Sequence, residues 1–390
     1  MTTSAWQAPT DVEKQLYAAK VRGDRETYLD VLAGTQLFHA MARDDADDDP
    51  ETVIRTPYVD GRTGRECYAF LTEGELPVPA ADTVYFSVSL GWTAEVWHDD
   101  TAWLAVNPGT PSEMFLPGTP SERALWREHD ARTANTEAGN LRTLRVGGPT
   151  EEAVVRGLGC AAHLNVRNGE LWNALPTHHG QGYAQERHRL DTWWGVTDRE
   201  DWQGSQERLL NGGVISPFWD FVLELRQILV DEYGAPVDVT LWRALVERAM
   251  LRREQETGDS GVPGGIEAMQ QLVGRILRYE ARFRADGLLP ADGYVRTVLA
   301  WDYGRAASMA RWGLGARYCD LAEAEDALIR AAQAAQAEYD SWEEFSTAFV
   351  LGRCLHFDEE GFGEWYTEVL DAHRILTSDA ESPWLTVPWK

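Results

Sequence analysis

The chain has 390 residues, a length that suits two domains, and its 44% hydrophobic and 11% aromatic content gives material for packed cores and excludes global disorder. Its formal net charge of -27 argues against binding a nucleic-acid backbone or an anionic lipid surface and favours a basic partner.

The first helix is expected from a capping box, Thr10 with Glu13, and runs through Lys20 with Leu16 and Tyr17 facing inward. A second helix from Asp24 to about Ala33 carries Tyr28, Leu29 and Leu32. Asp44 to Glu51 reads as a solvated acidic loop. Strands are expected over Arg65 to Leu71, Thr83 to Ser89, Thr93 to Trp97 and Thr101 to Val106, with turns at Gly61 to Gly64 and His98 to Asp100. The stretch from Leu116 to Pro149 is rich in Gly, Pro, Thr and charge, and the linker is placed there.

After Thr150 the pattern is helical. Glu151 to about Asn168 reads as a helix closed by Gly169, with a hairpin turn at Asn168-Gly169 as the alternative. Ser216 and Pro217 start a helix whose expected buried face is Phe218, Phe221, Val222, Leu225, Ile228 and Leu229. Leu241, Leu245 and Met250 belong to the next helix, and Ile266 to Phe283 forms an amphipathic stripe closed by Gly287. A helix around Trp301 ends at Gly313 and Gly315. Asp320 with Glu323 and Ser341 with Glu344 cap two more. The fold class is therefore an α+β N-terminal domain of two helices and a small sheet at 1–120, a linker at 121–150 and a larger all-α domain at 151–390.

Four stretches carry a family resemblance over about Val155 to Lys390. They are Leu190-Asp191-Thr192-Trp193-Trp194-Gly195-Val196; Ala300-Trp301-Asp302-Tyr303-Gly304-Arg305 with Arg311-Trp312-Gly313; Asp340 to Phe345 with Leu351-Gly352-Arg353; and Pro383 to Trp389. This region resembles a bacterial family of unknown function, numbered twelve sixty-six and typified by the YbeU and YbeR proteins. The strand and turn Leu104-Ala105-Val106-Asn107-Pro108 make the preceding segment similar to the SseB-type N-terminal domain. Neither resemblance implies an activity. The occurrence of SseB-type domains beside secretion and toxin systems implies partner binding by association only.

The feature with most chemistry is on the Trp301 helix. Val298, Trp301, Asp302, Arg305, Ala306, Met309 and Trp312 recur at helical offsets, which puts an acid and an arginine on an apolar stripe. Asp302 and Arg305 are three apart and able to pair. They form either a buried ionic lock, with Gly304 admitting a neighbouring helix, or a polar pocket in which Arg305 and Arg311 hold an anionic group and Asp302 orients it. Trp342, Glu343, Glu344 and Arg353 form a second set, in which Glu344 is a capping residue before it is an acid catalyst. Trp301, Asp302, Arg305, Arg311, Trp312, Trp342 and Arg353 are the candidate binding residues. No catalytic residue is assigned.

His178, His179 and His188 lie near Glu186 without a helical ligand spacing, so a polar loop is expected and no metal. Gly258-Asp259-Ser260-Gly261 resembles a protease nucleophile loop but lies between helices. No Walker loop, dinucleotide fingerprint or kinase motif occurs, and no cofactor is expected. The scattered Cys67, Cys160, Cys319 and Cys354 have no C-x-x-C spacing and fit a reducing cytosol. No run of about 18 apolar residues occurs, and Met1 to Thr10 lacks the pattern of a signal peptide. These features lead to the expectation of a cytoplasmic, non-enzymatic protein-binding module. Its specific form would be an inhibitor, immunity or adaptor protein of a toxin or secretion system, with 17 tryptophans available for interfaces. The alternative is an enzyme or ligand sensor built around Asp302, Arg305 and Arg311.

Overall fold

Thr10 starts the described fold as the N-cap of α1 (Asp11–Arg22), its hydroxyl accepting the Val12 N–H at 3.2 Å. The structure is a computed structural model that describes residues 6–49, 53–78, 80–133, 138–176, 181–257, 264–358 and 361–390. The first elements continue with α2 (Arg25–Ala33), β1 (Leu37–Ala42), α3 (Arg43–Asp48), β2 (Tyr58–Val59), β3 (Glu66–Phe70), β4 (Thr83–Val88), α4 (Leu90–Glu95), β5 (Trp103–Val106), β6 (Met114–Pro117) and α5 (Pro120–Arg132). From there the described elements are helical: α6 (Glu152–Cys160), α7 (Ala162–Asn168), α8 (Gln181–Trp194), α9 (Arg199–Leu210), α10 (Pro217–Tyr233), α11 (Val239–Thr257), α12 (Gly265–Asp286), α13 (Leu299–Gly315), α14 (Leu321–Glu338), α15 (Trp342–Phe357), α16 (Glu364–Ser378) and α17 (Pro383–Thr386). The expected α+β segment followed by an all-helical region is thus the observed architecture.

Two compact units are formed, and neither is one continuous stretch. The first comprises Met1–Val155, Asn165–Gly204 and Met309–Asp326. It contains an antiparallel pair, β1 with β4, and a mixed sheet ordered β2-β3-β5-β6 in which β3 and β5 run parallel. A bridge between Phe38 and Leu71 joins the two. Leu16, Tyr28, Leu32, Phe86, Leu104 and Trp126 are among the side chains of its core. The second unit comprises Arg156–Leu164, Ser205–Ser308 and Ala327–Lys390, with α10, α11 and α12 packed together and α15 packed on α12 and α16.

Several expectations are corrected. Thr93 to Trp97 is not a strand: Ser89 caps α4 by accepting the Trp92 N–H at 3.0 Å, and Leu90, Gly91, Thr93 and Ala94 are buried at helical spacing. The acidic run is helical over α3, with Ala46 buried, and its end at residues 50–51 lies outside the described residues. The segment placed as a linker opens with α5, whose Trp126 is buried in the N-terminal core. Thr119 caps that helix and Pro120 fits its first turn, so the same residues that read as loop chemistry are a helix start. β1, β2 and β6 were not anticipated. The helix expected over Glu151 to Asn168 is two helices, closed by Gly169 in the left-handed region at φ 69°.

Within the capping boxes, only Asp320 and Glu323 exchange backbone N–H groups reciprocally, at 3.0 and 2.9 Å. Glu13 instead turns inward to Thr72 and to the Gly74 N–H. Tyr17 and Ile228, expected inside, are exposed, and Arg226 takes a buried place on α10.

Candidate functional site

α13 is buried nearly all round rather than along one stripe. Its residues up to Ser308 belong to the second unit and those from Met309 to the first. The expected grouping of Asp302 and Arg305 with Arg311 therefore divides between the two.

In the second unit Asp302 is fully buried. One carboxylate oxygen accepts the N–H groups of Val214 and Ile215 at 3.0 and 3.1 Å, and the other pairs with Arg305 Nη2. Arg305 Nε donates to the Trp301 carbonyl at 3.1 Å, and its guanidinium lies 3.6 Å from the centre of the Trp301 ring. Burial raises the Asp302 carboxyl against the pull of Arg305, and burial lowers the Arg305 guanidinium to about 10. The charges are spent on one another and on the loop ahead of α10. This is the geometry of a lock.

Neighbouring contacts have the same character. A Cβ on Gly304 would stand 2.7 Å from the Phe349 ring and 3.0 Å from the Cys160 carbonyl, and one on Gly352 would stand 2.8 Å from Trp301 Cβ. α13 and α15 meet through these glycines. Trp342 is buried, donates to the Val387 carbonyl at 3.0 Å and stacks on Trp384, so it fastens the terminal run. Arg353 donates to Glu368 at 3.0 Å and does not reach Asp302. Glu344 accepts from the Asp340 N–H and pairs with Arg296.

In the first unit Arg311 donates through Nη2 to the Leu171 carbonyl at 2.9 Å and has Glu170 at 3.6 Å from Nη1. Burial lowers its pKa, while Glu170, Glu73 and Glu186 oppose that shift. Trp312 lies under the Arg189 guanidinium at 5.2 Å and beside Trp194 at 6.1 Å.

Residues 189–389 match the model of a protein family described as a protein of unknown function, DUF1266. The chain belongs to the DUF1266 family. Residues 12–120 match the SseB protein N-terminal domain. No curated protein and no solved structure matches the chain.

All seven candidate residues lie in the DUF1266 match, and the SseB-type Asn-Pro turn shows why its asparagine is there. Asn107 sits at φ 44°, which asparagine tolerates, and its buried amide accepts the Thr72 N–H at 2.8 Å and donates to Thr72 and Ser112.

A second polar constellation, with Ser346 and His373 inside the DUF1266 match and His163 ahead of it, was missed. Ser346 Oγ lies 2.9 Å from His163 Nε2 and 2.8 Å from His373 Nδ1. No spacing signals it, because the three residues come from three separate helices. Ser346 has no exposure, and among the described residues no carboxylate hydrogen-bonds either ring, so access and an orienting acid are both missing for a nucleophilic triad. Among the described residues no group of three His, Cys, Asp or Glu is placed to hold a metal. His188 is exposed, while His178, His179 and Gly258 to Gly261 lie outside the described residues. No described helix is long and apolar enough to cross a membrane.

Proposed function

We propose that the chain is a cytoplasmic protein-binding module, an inhibitor, immunity or adaptor component of a toxin or secretion system, and that it takes a basic partner on the corner where α10 meets α11. The observation that carries this reading is the coincidence of exposed apolar side chains with exposed acids. Ile228 is 54% and Tyr233 66% exposed at the end of α10, and Val239 and Leu241 are exposed at the start of α11. Asp231 and Glu232 at the end of α10 and Asp238 ahead of α11 are exposed beside them, and the basic residue of α10 is Arg226. That arginine is buried with Glu280 at 2.9 Å and turned away from the surface of the corner.

Single exposed apolar residues are ordinary on any surface. Four at one helix corner, surrounded by acids, match the arrangement of an apolar centre and charged rim used by interfaces, with the charge steering a basic partner. The test is affinity purification of the tagged full chain from its own host at low and high salt, beside the double variant Ile228→Glu, Tyr233→Ser. The expected result is one stoichiometric basic protein, released by salt and lost from the variant. A partnerless wild type, or a partner that stays with the variant, removes the reading.

A further inference from the structure

Arg311 is 6% exposed, yet Nε and Nη1 have no hydrogen-bond partner among the described residues, since Glu170 at 3.6 Å is beyond hydrogen-bond reach of Nη1. Leaving N–H groups of a buried cation open is costly, and an acceptor from outside the chain relieves that cost. The indole N–H of the next residue, Trp312, is also buried without a partner. Asn165, whose carbonyl accepts the Glu170 N–H at 2.9 Å, is buried with both atoms of its amide open. The open donors are thus Arg311 Nε and Nη1, the Trp312 indole N–H and the Asn165 amide N–H, against one open acceptor, the Asn165 amide oxygen.

The surrounding charges set the class of ligand. Arg142 pairs with Glu73 at 3.0 Å, Arg189 pairs with Glu186 at 2.7 Å, and Arg311 faces Glu170. Three guanidiniums face these three carboxylates, and Glu13 adds a fourth acid beside Glu73. Burial raises the Glu73 and Glu186 carboxyls, which eases the entry of one negative charge.

We infer that the first unit binds a small monocarboxylate at Arg311, with the Trp312 indole N–H as a second donor. Arginine is the side chain suited to a planar carboxylate. A doubly charged oxyanion is disfavoured by the three acids. This inference is independent of the docking corner on α10 and α11.

The experiment is a titration of the full chain with sodium acetate at fixed ionic strength, followed by the side-chain ¹⁵N–¹H signals of Trp312 and Arg311. The Trp312 signal is assigned by its loss in Trp312→Phe. The expected result is a saturable shift of these two signals while the other indole signals stay still, with inorganic phosphate weaker than acetate. Trp312→Phe keeps the ring under Arg189 and removes only the N–H, so acetate binding measured calorimetrically weakens about tenfold with the fold intact. Arg311→Gln abolishes it. Absent or unsaturable shifts with acetate overturn the site, leaving its donors to water. Phosphate binding tighter than acetate overturns the ligand class, and unchanged acetate affinity in Trp312→Phe removes that residue from the site.

Discussion

Asp302 accepts the Val214 N–H at 3.0 Å and so ties the centre of α13 to the loop from which α10 starts. With Arg305 on its other oxygen, the carboxylate has a partner on each side and no exposure. Breaking a buried pair leaves the surviving charge uncompensated, and the cost is about 3–5 kcal/mol. Asp302→Asn and Arg305→Ala are each expected to lower unfolding stability by that order in denaturant titrations. Unchanged stability with lost binding would instead make the pair a site.

Gly304 and Gly204 form a matched test of helix contact. A methyl group at Gly304 meets the Phe349 ring and the Cys160 carbonyl, whereas at Gly204, in α9, it meets nothing within 4 Å. Gly304→Ala is expected to destabilise by about 1–3 kcal/mol through overpacking. Gly204→Ala is expected to stabilise by up to about 1 kcal/mol through helix propensity. Paired thermal melts read the difference, and equal shifts would contradict the close approach of α13 and α15.

The histidine pair gives a pH dependence with a definite sign. Burial lowers the His373 pKa from 6.5 to about 4 and holds His163 well below its ordinary value. The unfolded chain therefore takes up protons that the folded chain refuses. The stability held by neutral His373 is complete above pH 6.5 and is lost as pH falls towards about 4. Asp220, raised by burial to about 6, acts in the opposite direction, so the comparison is with His373→Asn rather than the wild-type curve alone. The wild type is expected to lose stability relative to this variant between pH 6.5 and 4. A constant difference across that range would contradict the assignment.

Cys67, Cys160, Cys319 and Cys354 are all buried, and burial raises every thiol, Cys160 and Cys319 to about 12. A disulfide reagent such as DTNB at neutral pH is expected to label none of them in the folded protein and all of them in denaturant. Rapid labelling of a native thiol would show a local opening that this packing does not provide.

Much of this architecture is legible in the residues because local chemistry and packing agree. Ser216-Pro217, Asp320 with Glu323, and the Ile266 to Phe283 stripe each mark a helix by cap and period together. The Thr93 to Trp97 error arose because β-branched and aromatic residues outweighed Ser89, a single cap that decides the segment. β1 is hidden because Ala and Met favour helices, and only its pairing with β4 makes Leu37–Ala42 a strand. The Asp302–Arg305 pair was legible from a spacing of three. Its role was not, because Val214 and Ile215 are nearly ninety residues away in sequence. The open donors of Arg311 and the Ser346 constellation are tertiary facts with no periodic trace.

The central claim is that binding occurs at the acidic, apolar corner of α10 and α11, away from the charge pair on α13. The most direct measurement places a photo-crosslinking benzoylphenylalanine at Tyr233, and in parallel at the comparably exposed Val21, with irradiation in the native host. The account predicts one dominant covalent adduct with a basic protein from position 233 and none from position 21. No adduct from position 233, or the same adduct from both positions, would contradict it.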